Sequence, residues 1–251
     1  MISTPQKSVL ITGAGTGIGA ASAELFSRKG YFVYLLGRTL SKLESTAKSL
    51  ENYEILLCDL TDPDQVKKTS QKIILNSSRQ LQVLVNNAGV FRRHSFEEGT
   101  DETWMTQWWT NMIGPVRLTR EFFPYFKKNR MGSIVNVSST LGLRPVAGMS
   151  AYSATKAAMI NWTQSLALEG ASFNIRANCV CPGLVDTPIH DFHFLPTSEK
   201  ENILNNLKNM QPLGRVGQSP EIAQSIYFLA AEESSWTTGA ILSVDGGINI
   251  A

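Results

Sequence analysis

The sequence predicts a single-domain α/β fold: a doubly wound parallel sheet of about seven strands with helices on both faces. Three observations carry that prediction. Short β-branched or leucine-rich runs alternate with longer helical patterns from one end to the other, which implies right-handed βαβ crossovers. The runs are continuously apolar rather than alternating, as in parallel strands buried on both faces. The first run opens onto a glycine-rich turn followed by a helix, the arrangement of a dinucleotide-binding unit.

In chain order, strands are predicted over 8–12, 32–37, 54–58, 83–86, 133–138, 175–180 and 240–244. Helices are predicted over 17–29, 40–50, 64–77, 101–128, 151–171 and 220–231. No Pro/Ser-rich linker, charge run or repeat divides the chain, so 1–251 reads as one domain. The rhythm breaks near 184–212, which carries Pro188, Pro196 and Pro212 just after Pro182. A long insertion after a strand's carboxyl end sits where open α/β sheets bind ligands, so this segment reads as a substrate lid. The alternative is a solvent loop with helical turns.

Composition narrows the function classes. With 23 Lys+Arg against 21 Asp+Glu the formal charge is +2, which offers no basic face for nucleic acid or an anionic membrane. The longest apolar runs, such as Tyr31–Leu36, span six residues, far short of the roughly 20 that cross a bilayer. The N-terminal stretch lacks a signal-peptide pattern, and Cys58, Cys179 and Cys181 make no disulfide framework or zinc knuckle. The expectation is a cytoplasmic protein with reduced thiols.

The turn reads Thr12-Gly13-Ala14-Gly15-Thr16-Gly17-Ile18-Gly19. Glycines allow a tight turn and let backbone N–H groups approach a pyrophosphate at the helix N-terminus. Such a turn alone is weak evidence, because any strand-to-helix turn favours glycine. Further along come Asp59, Asn86-Asn87-Ala88-Gly89, Asn111, Ser139, Tyr152-Ser153-Ala154-Thr155-Lys156, Pro182-Gly183 and Asp245-Gly246-Gly247. Jointly, in this order, the set resembles the short-chain dehydrogenase/reductase family, and 3-oxoacyl-acyl-carrier-protein reductases within it.

Tyr152 and Lys156 can be read without the family. Four residues apart on a helix, they share a face. A free tyrosine titrates near pH 10, too high for a general base at neutrality, and a nearby ammonium favours the phenolate. Tyr152 would then exchange the proton of a substrate hydroxyl or carbonyl while hydride moves between carbon and nicotinamide. Ser138 and Ser139 point to opposite faces of a strand end, so one of them reaches the reacting oxygen. The resemblance selects Ser139, thirteen residues before the tyrosine, as the oxyanion-stabilising serine. It also implies that Asn111 opens its helix to hold a water linked to Lys156.

The resemblance further implies cofactor contacts along Gly13, Thr16, Gly17, Ile18 and Gly19. It places Asp59 and Leu60 at the adenine, and Asn87, Ala88 and Gly89 along the cleft. Pro182, Gly183, Val185 and Thr187 would shape the nicotinamide site. NADP(H) is expected in preference to NAD(H), which stays possible. The stretch Tyr34–Thr39 has no carboxylate for a ribose 2′-hydroxyl, and Arg38 can pair with a 2′-phosphate. Arg38 as a solvated turn residue is the alternative.

The expected substrate is a small-molecule ketone or alcohol. Its pocket would be apolar, from Phe91, Leu141, Leu143, Met149, Leu184, Ile189 and Phe192, with Arg92, Arg93 and Arg144 able to meet an anion. A carrier-protein substrate is the alternative. Arg130 matches one docking position of the carrier-dependent reductases, and Phe173 stands where a second arginine is expected. A non-catalytic dinucleotide-binding regulator is the remote alternative, disfavoured because the catalytic set is complete. His190 and His193 could share a helical face, but no carboxylate or cysteine cluster completes a metal site. By family resemblance the protein should be a homotetramer.

Overall fold

The computed structural model describes residues 5–190 and 211–251. The predicted lid therefore lies largely outside the described residues, along with His193 and Phe192.

Seven parallel strands form one sheet: β1 (Gln6–Thr12), β2 (Phe32–Gly37), β3 (Tyr53–Leu57), β4 (Arg79–Asn86), β5 (Gly132–Val137), β6 (Ile175–Pro182) and β7 (Ile241–Val244). Their spatial order is β3-β2-β1-β4-β5-β6-β7. The order reverses between β1 and β4, and ligands of open α/β sheets bind at that switch point, outside the carboxyl ends of the strands. The predicted fold class is borne out. β4 starts earlier than its apolar run because Gln6 and Lys7 pair with Arg79 and Gln80; a backbone ladder accepts polar side chains at a sheet end. β6 runs on through Cys181 and Pro182, which pair with Ser243 and Val244.

The period-2 alternation of each strand divides the core in two. Val9, Ile11, Val33, Leu35, Val85 and Val135 face one side with Phe26 and Ile226. There α1 (Gly17–Arg28) packs on the sheet beside the C-terminal helix Ser219–Ala230. Leu10, Tyr34, Leu36, Leu84 and Ile134 face the other side with Leu118, Phe122, Phe126 and Leu166. That layer is built from α3 (Pro63–Ile74), α5 (Gly114–Asn129) and α6 (Ser150–Gly170). Between β2 and β3 lies the short α2 (Leu40–Ala47).

The helix predicted over 101–128 is not continuous. It divides into α4 (Asp101–Trp108), a π-helical turn (Trp109–Ile113) and α5. Pro115 has no N–H to give the carbonyl of Asn111, so the α ladder breaks there and the backbone widens. Gly114 follows the turn, where an added Cβ would stand 2.8 Å from Leu60 Cβ. The start of the predicted lid and the residue just past its end are anchored: Asp186 N–H donates to Gly217 O (3.0 Å) and Leu213 N–H to Gly246 O (3.0 Å).

Candidate active site

A cleft of about 980 Å³ opens at the carboxyl ends of the central strands. The Thr12 hydroxyl joins β1 to β4 by accepting from the N–H groups of Asn87 (2.9 Å) and Ala88 (2.9 Å), and the Asn87 amide donates back to Thr12 O (2.9 Å). Gly13 is left-handed at φ +65°, and a Cβ there would stand 2.9 Å from Ala88 Cα. A Cβ on Gly19 would meet Gly13 O at 2.2 Å. The first turn of α1 thus lies close against the strand ends. Thr16, its N-cap, makes no side-chain capping bond, so the N–H groups of that turn face the cleft without helical partners. This geometry fits a dinucleotide pyrophosphate.

Of the residues singled out from sequence, Gly13, Thr16, Gly17, Ile18, Asn87, Ala88 and Gly89 line the cleft on the turn side. Ser139, Tyr152, Lys156, Pro182, Gly183, Val185 and Thr187 line it across from them. Gly19, Arg38, Asp59, Leu60 and Asn111 do not. Gly19 acts through close packing. Leu60 is a core residue whose carbonyl accepts from Arg117 (3.0 Å). Arg38 and Asp59 sit together beyond the cleft as an ion pair at 3.7 Å.

Tyr152 is buried on α6, with the Phe91 ring edge-on at 5.1 Å between centroids. Burial pushes its hydroxyl up to about 12, while a hydrogen bond with Ser139 pulls the other way. Lys156 Nζ donates to Val137 O (2.9 Å) and lies 5.6 Å from the tyrosine ring centroid. Its own ammonium is pulled down to about 8, again by burial. In the protein alone, loss of hydration is the largest influence on both groups and favours the neutral form of each.

The two serines separate as the strand geometry requires. Ser139 faces Tyr152, and its hydroxyl also accepts from Leu141 N–H (3.1 Å). Ser138 donates to Lys156 O (2.8 Å) and ties β5 to α6. Asn111, fully buried in the π-helical turn, accepts from Val90 N–H (2.8 Å) and donates to Val90 O (2.9 Å) and the Thr155 hydroxyl (3.2 Å). It meets Lys156 only across Gly89, where a Cβ would lie 3.4 Å from Asn111 Oδ1 and 3.7 Å from Lys156 Nζ.

Sequence reasoning passed over several residues here. Lys42, in the first turn of α2, lines the cleft; its signal is a second cation four residues after Arg38. Gln107, fully buried in α4, accepts from Arg92 N–H (3.1 Å), and nothing in sequence marks that contact. Cys179 and Cys181 place their thiols 3.9 Å apart beneath the site. Their mutual hydrogen bond, with burial, pushes the Cys179 thiol up. Ile248 reaches the cleft from the C-terminal segment.

Residues 7–194 match the short chain dehydrogenase family. The chain belongs to that family. As a short chain dehydrogenase it is 38% identical to the 3-oxoacyl-[acyl-carrier-protein] reductase FabG of Thermotoga maritima, over 97% of this chain and 98% of the relative. It is 35% identical to nodulation protein G of a Rhizobium species, over 96% of each chain. Among solved structures, ElxO with NADP bound superposes with a TM-score of 0.90 at 30% identity, over 99% of this chain and 100% of ElxO. A variant of the actinorhodin polyketide ketoreductase with NADPH gives 0.91 at 28% identity, over 98% of each. The chain is accordingly an oxidoreductase of the CH–OH-acting class. Among the described residues no cluster of His, Cys, Asp and Glu could hold a metal ion, and no helix is long and apolar enough to cross a membrane.

Proposed function

We propose that this protein interconverts a ketone and a secondary alcohol with NADP(H), using Tyr152 as the general acid and base. The observation that carries the reading is the meeting of Tyr152, Ser139 and Lys156 in one cleft with the glycine turn of α1. Held against Gly13, Thr16, Gly17 and Ile18 of the turn, NADP(H) would supply the hydride chemistry. The rest falls to the protein's side chains. Ser139 holds the substrate oxygen and offers a hydrogen bond as negative charge develops there. Tyr152, protonated at neutral pH, delivers its proton to that oxygen. Lys156, whose ammonium burial pulls down to about 8, stands by to restore it. Asn111 positions rather than reacts: it fixes the Val90 backbone and so the cleft wall above Gly89.

NADP(H) rather than NAD(H) is supported by solved relatives holding NADP or NADPH. It is supported here by Arg38 and Lys42 at the adenosine end, with no carboxylate in Tyr34–Thr39. Arg38 shares Asp59 with solvent, so a 2′-phosphate competes for a cation that is only weakly held. A homotetramer in the cytoplasm completes the reading.

The 38% identity to FabG favours one second reading, reduction of a carrier-bound 3-oxoacyl group. The docking residues argue for the free substrate. Arg130 is engaged with Ser172 O (3.1 Å), and Lys127 stacks at 4.0 Å over Phe173, where a second arginine would be needed. A screen of ketones following NADPH absorbance tests the function, with acetoacetyl-carrier protein and methyl acetoacetate compared at equal low salt. Turnover of free ketones is expected. A carrier preference of about a hundredfold that collapses on Arg130→Ala would restore the fatty-acid reductase, as a loss of that size matches a charge-assisted contact.

A further inference from the structure

Among the described residues the cleft is lined by four cationic side chains, Lys42, Arg92, Arg93 and Lys156, and by no carboxylate. Lys42 belongs to the adenosine end and Lys156 to the proton-transfer site. Arg92 and Arg93 are left over. Both are solvent-accessible, and neither forms an ion pair among the described residues.

Their backbone is held firmly. Val90 is clamped by both arms of Asn111. Arg92 N–H is taken by the buried amide of Gln107, and His94 N–H donates to Gly148 O (3.1 Å). Between these anchors Phe91 meets the Tyr152 ring at 5.1 Å. Arg92 and Arg93, the next two residues, line the same cleft. The Arg93 side chain lies over Gly148, with Nε 3.5 Å from the position of an added Cβ. Gly148 precedes Tyr152 by four residues, so Arg93 stands beside the start of the helix that presents the acid. The Arg92 guanidinium donates only to Phe91 O (3.4 Å), and two guanidiniums without a carboxylate partner beside apolar walls from Leu141, Val146 and Met149 suit a planar or tetrahedral oxyanion on an otherwise apolar molecule.

Resting on the oxidoreductase reading of this cleft, we propose that its substrate is a ketone or alcohol bearing a carboxylate or phosphate, held at that anion by Arg92 and Arg93. The shared chemistry is an oxyanion, and matched pairs distinguish its sources: 3-oxohexanoate against its methyl ester, and dihydroxyacetone phosphate against dihydroxyacetone. With NADPH at low salt, the charged member of one pair is expected to show kcat/KM at least about tenfold above its neutral mate. In Arg92→Gln/Arg93→Gln that ratio should fall by about ten- to a hundredfold, as for loss of a charge-assisted contact. Added salt should erode it in the wild type. Calorimetric titration of each charged probe into the Tyr152→Phe protein with NADP⁺ reads the anion site without turnover. Binding that weakens in the double-arginine background, with no ketone reduced by the wild type, would keep the anion site and overturn the oxidoreductase reading. Reduction of neutral ketones with no charged preference in either pair, or equal loss on both members in the arginine variant, would overturn the anion site. So would failure of both charged probes to bind.

Discussion

Burial acts on Tyr152 and Lys156 in the same sense, favouring the neutral form of each. For Tyr152 the consequence is spectroscopic: without cofactor, the absorbance difference between wild type and Tyr152→Phe should show no tyrosinate at pH 10, the ordinary midpoint. A transition there would mean that Lys156 controls the phenol. For Lys156 the consequence is thermodynamic. Its folded pKa lies below the unfolded one, so between about 8 and 10.5 the unfolded chain binds more protons and stability rises with pH. Lys156→Met should flatten that rise in urea titrations between pH 8 and pH 10, before Tyr152 opposes it. The serines give a crossed pattern. Ser139→Ala is expected to lower kcat by about 10²–10³, while Ser138→Ala costs about 1 kcal/mol of stability through the lost bond to Lys156 O. At the cofactor end, Arg38→Ala should raise KM for NADP(H) much more than for NAD(H), and equal use of both by the wild type would refute the preference. These residues were legible because reaction chemistry restricts residue type and spacing. Lys42 was not, because its placement depends on the close approach of α2 to Gly15, where an added Cβ would lie 2.9 Å from Lys42 Cβ.

Elements carry a different kind of information. Apolar runs located all seven strands, yet the break at Trp109–Ile113 escaped the helical periodicity. Its sequence trace is a single proline, Pro115, which also reads as an ordinary first-turn proline. The C-terminal helix Ser219–Ala230 shows the limit more sharply. Its last turn has no basic residue; instead Arg176, on β6, donates to the carbonyls of Leu229 (2.8 Å), Ala230 (3.0 Å), Ala231 (3.0 Å) and Thr237 (3.1 Å). In sequence Arg176 is only a polar interruption of a strand, because a cap supplied from 53 residues away leaves no local pattern. Arg176→Met should strand several helix-end carbonyls and cost about 2–4 kcal/mol, read as a lower urea midpoint at unchanged m. A loss below about 0.5 kcal/mol would show that water replaces the guanidinium freely.

At the scale of the whole molecule, continuous apolar strands and end-to-end alternation were enough to specify the doubly wound sheet, because a parallel sheet must bury both faces. The proposed tetramer has a fainter trace. Leu168 on α6 is 82% exposed and Trp236 100%, large apolar surfaces that a subunit contact would cover. Light scattering is expected to give four times the 27.6 kDa chain mass, and a monomer at micromolar concentration would contradict the tetramer. The sheet, the glycine turn and α6 converge on the Tyr152 hydroxyl, so removing that one oxygen is the most direct measurement of all. In single-turnover reduction of the best ketone substrate, Tyr152→Phe should bind NADPH as the wild type does and lose about 10²–10⁴ in the rate of ketone reduction. Reduction at the wild-type rate would contradict the account.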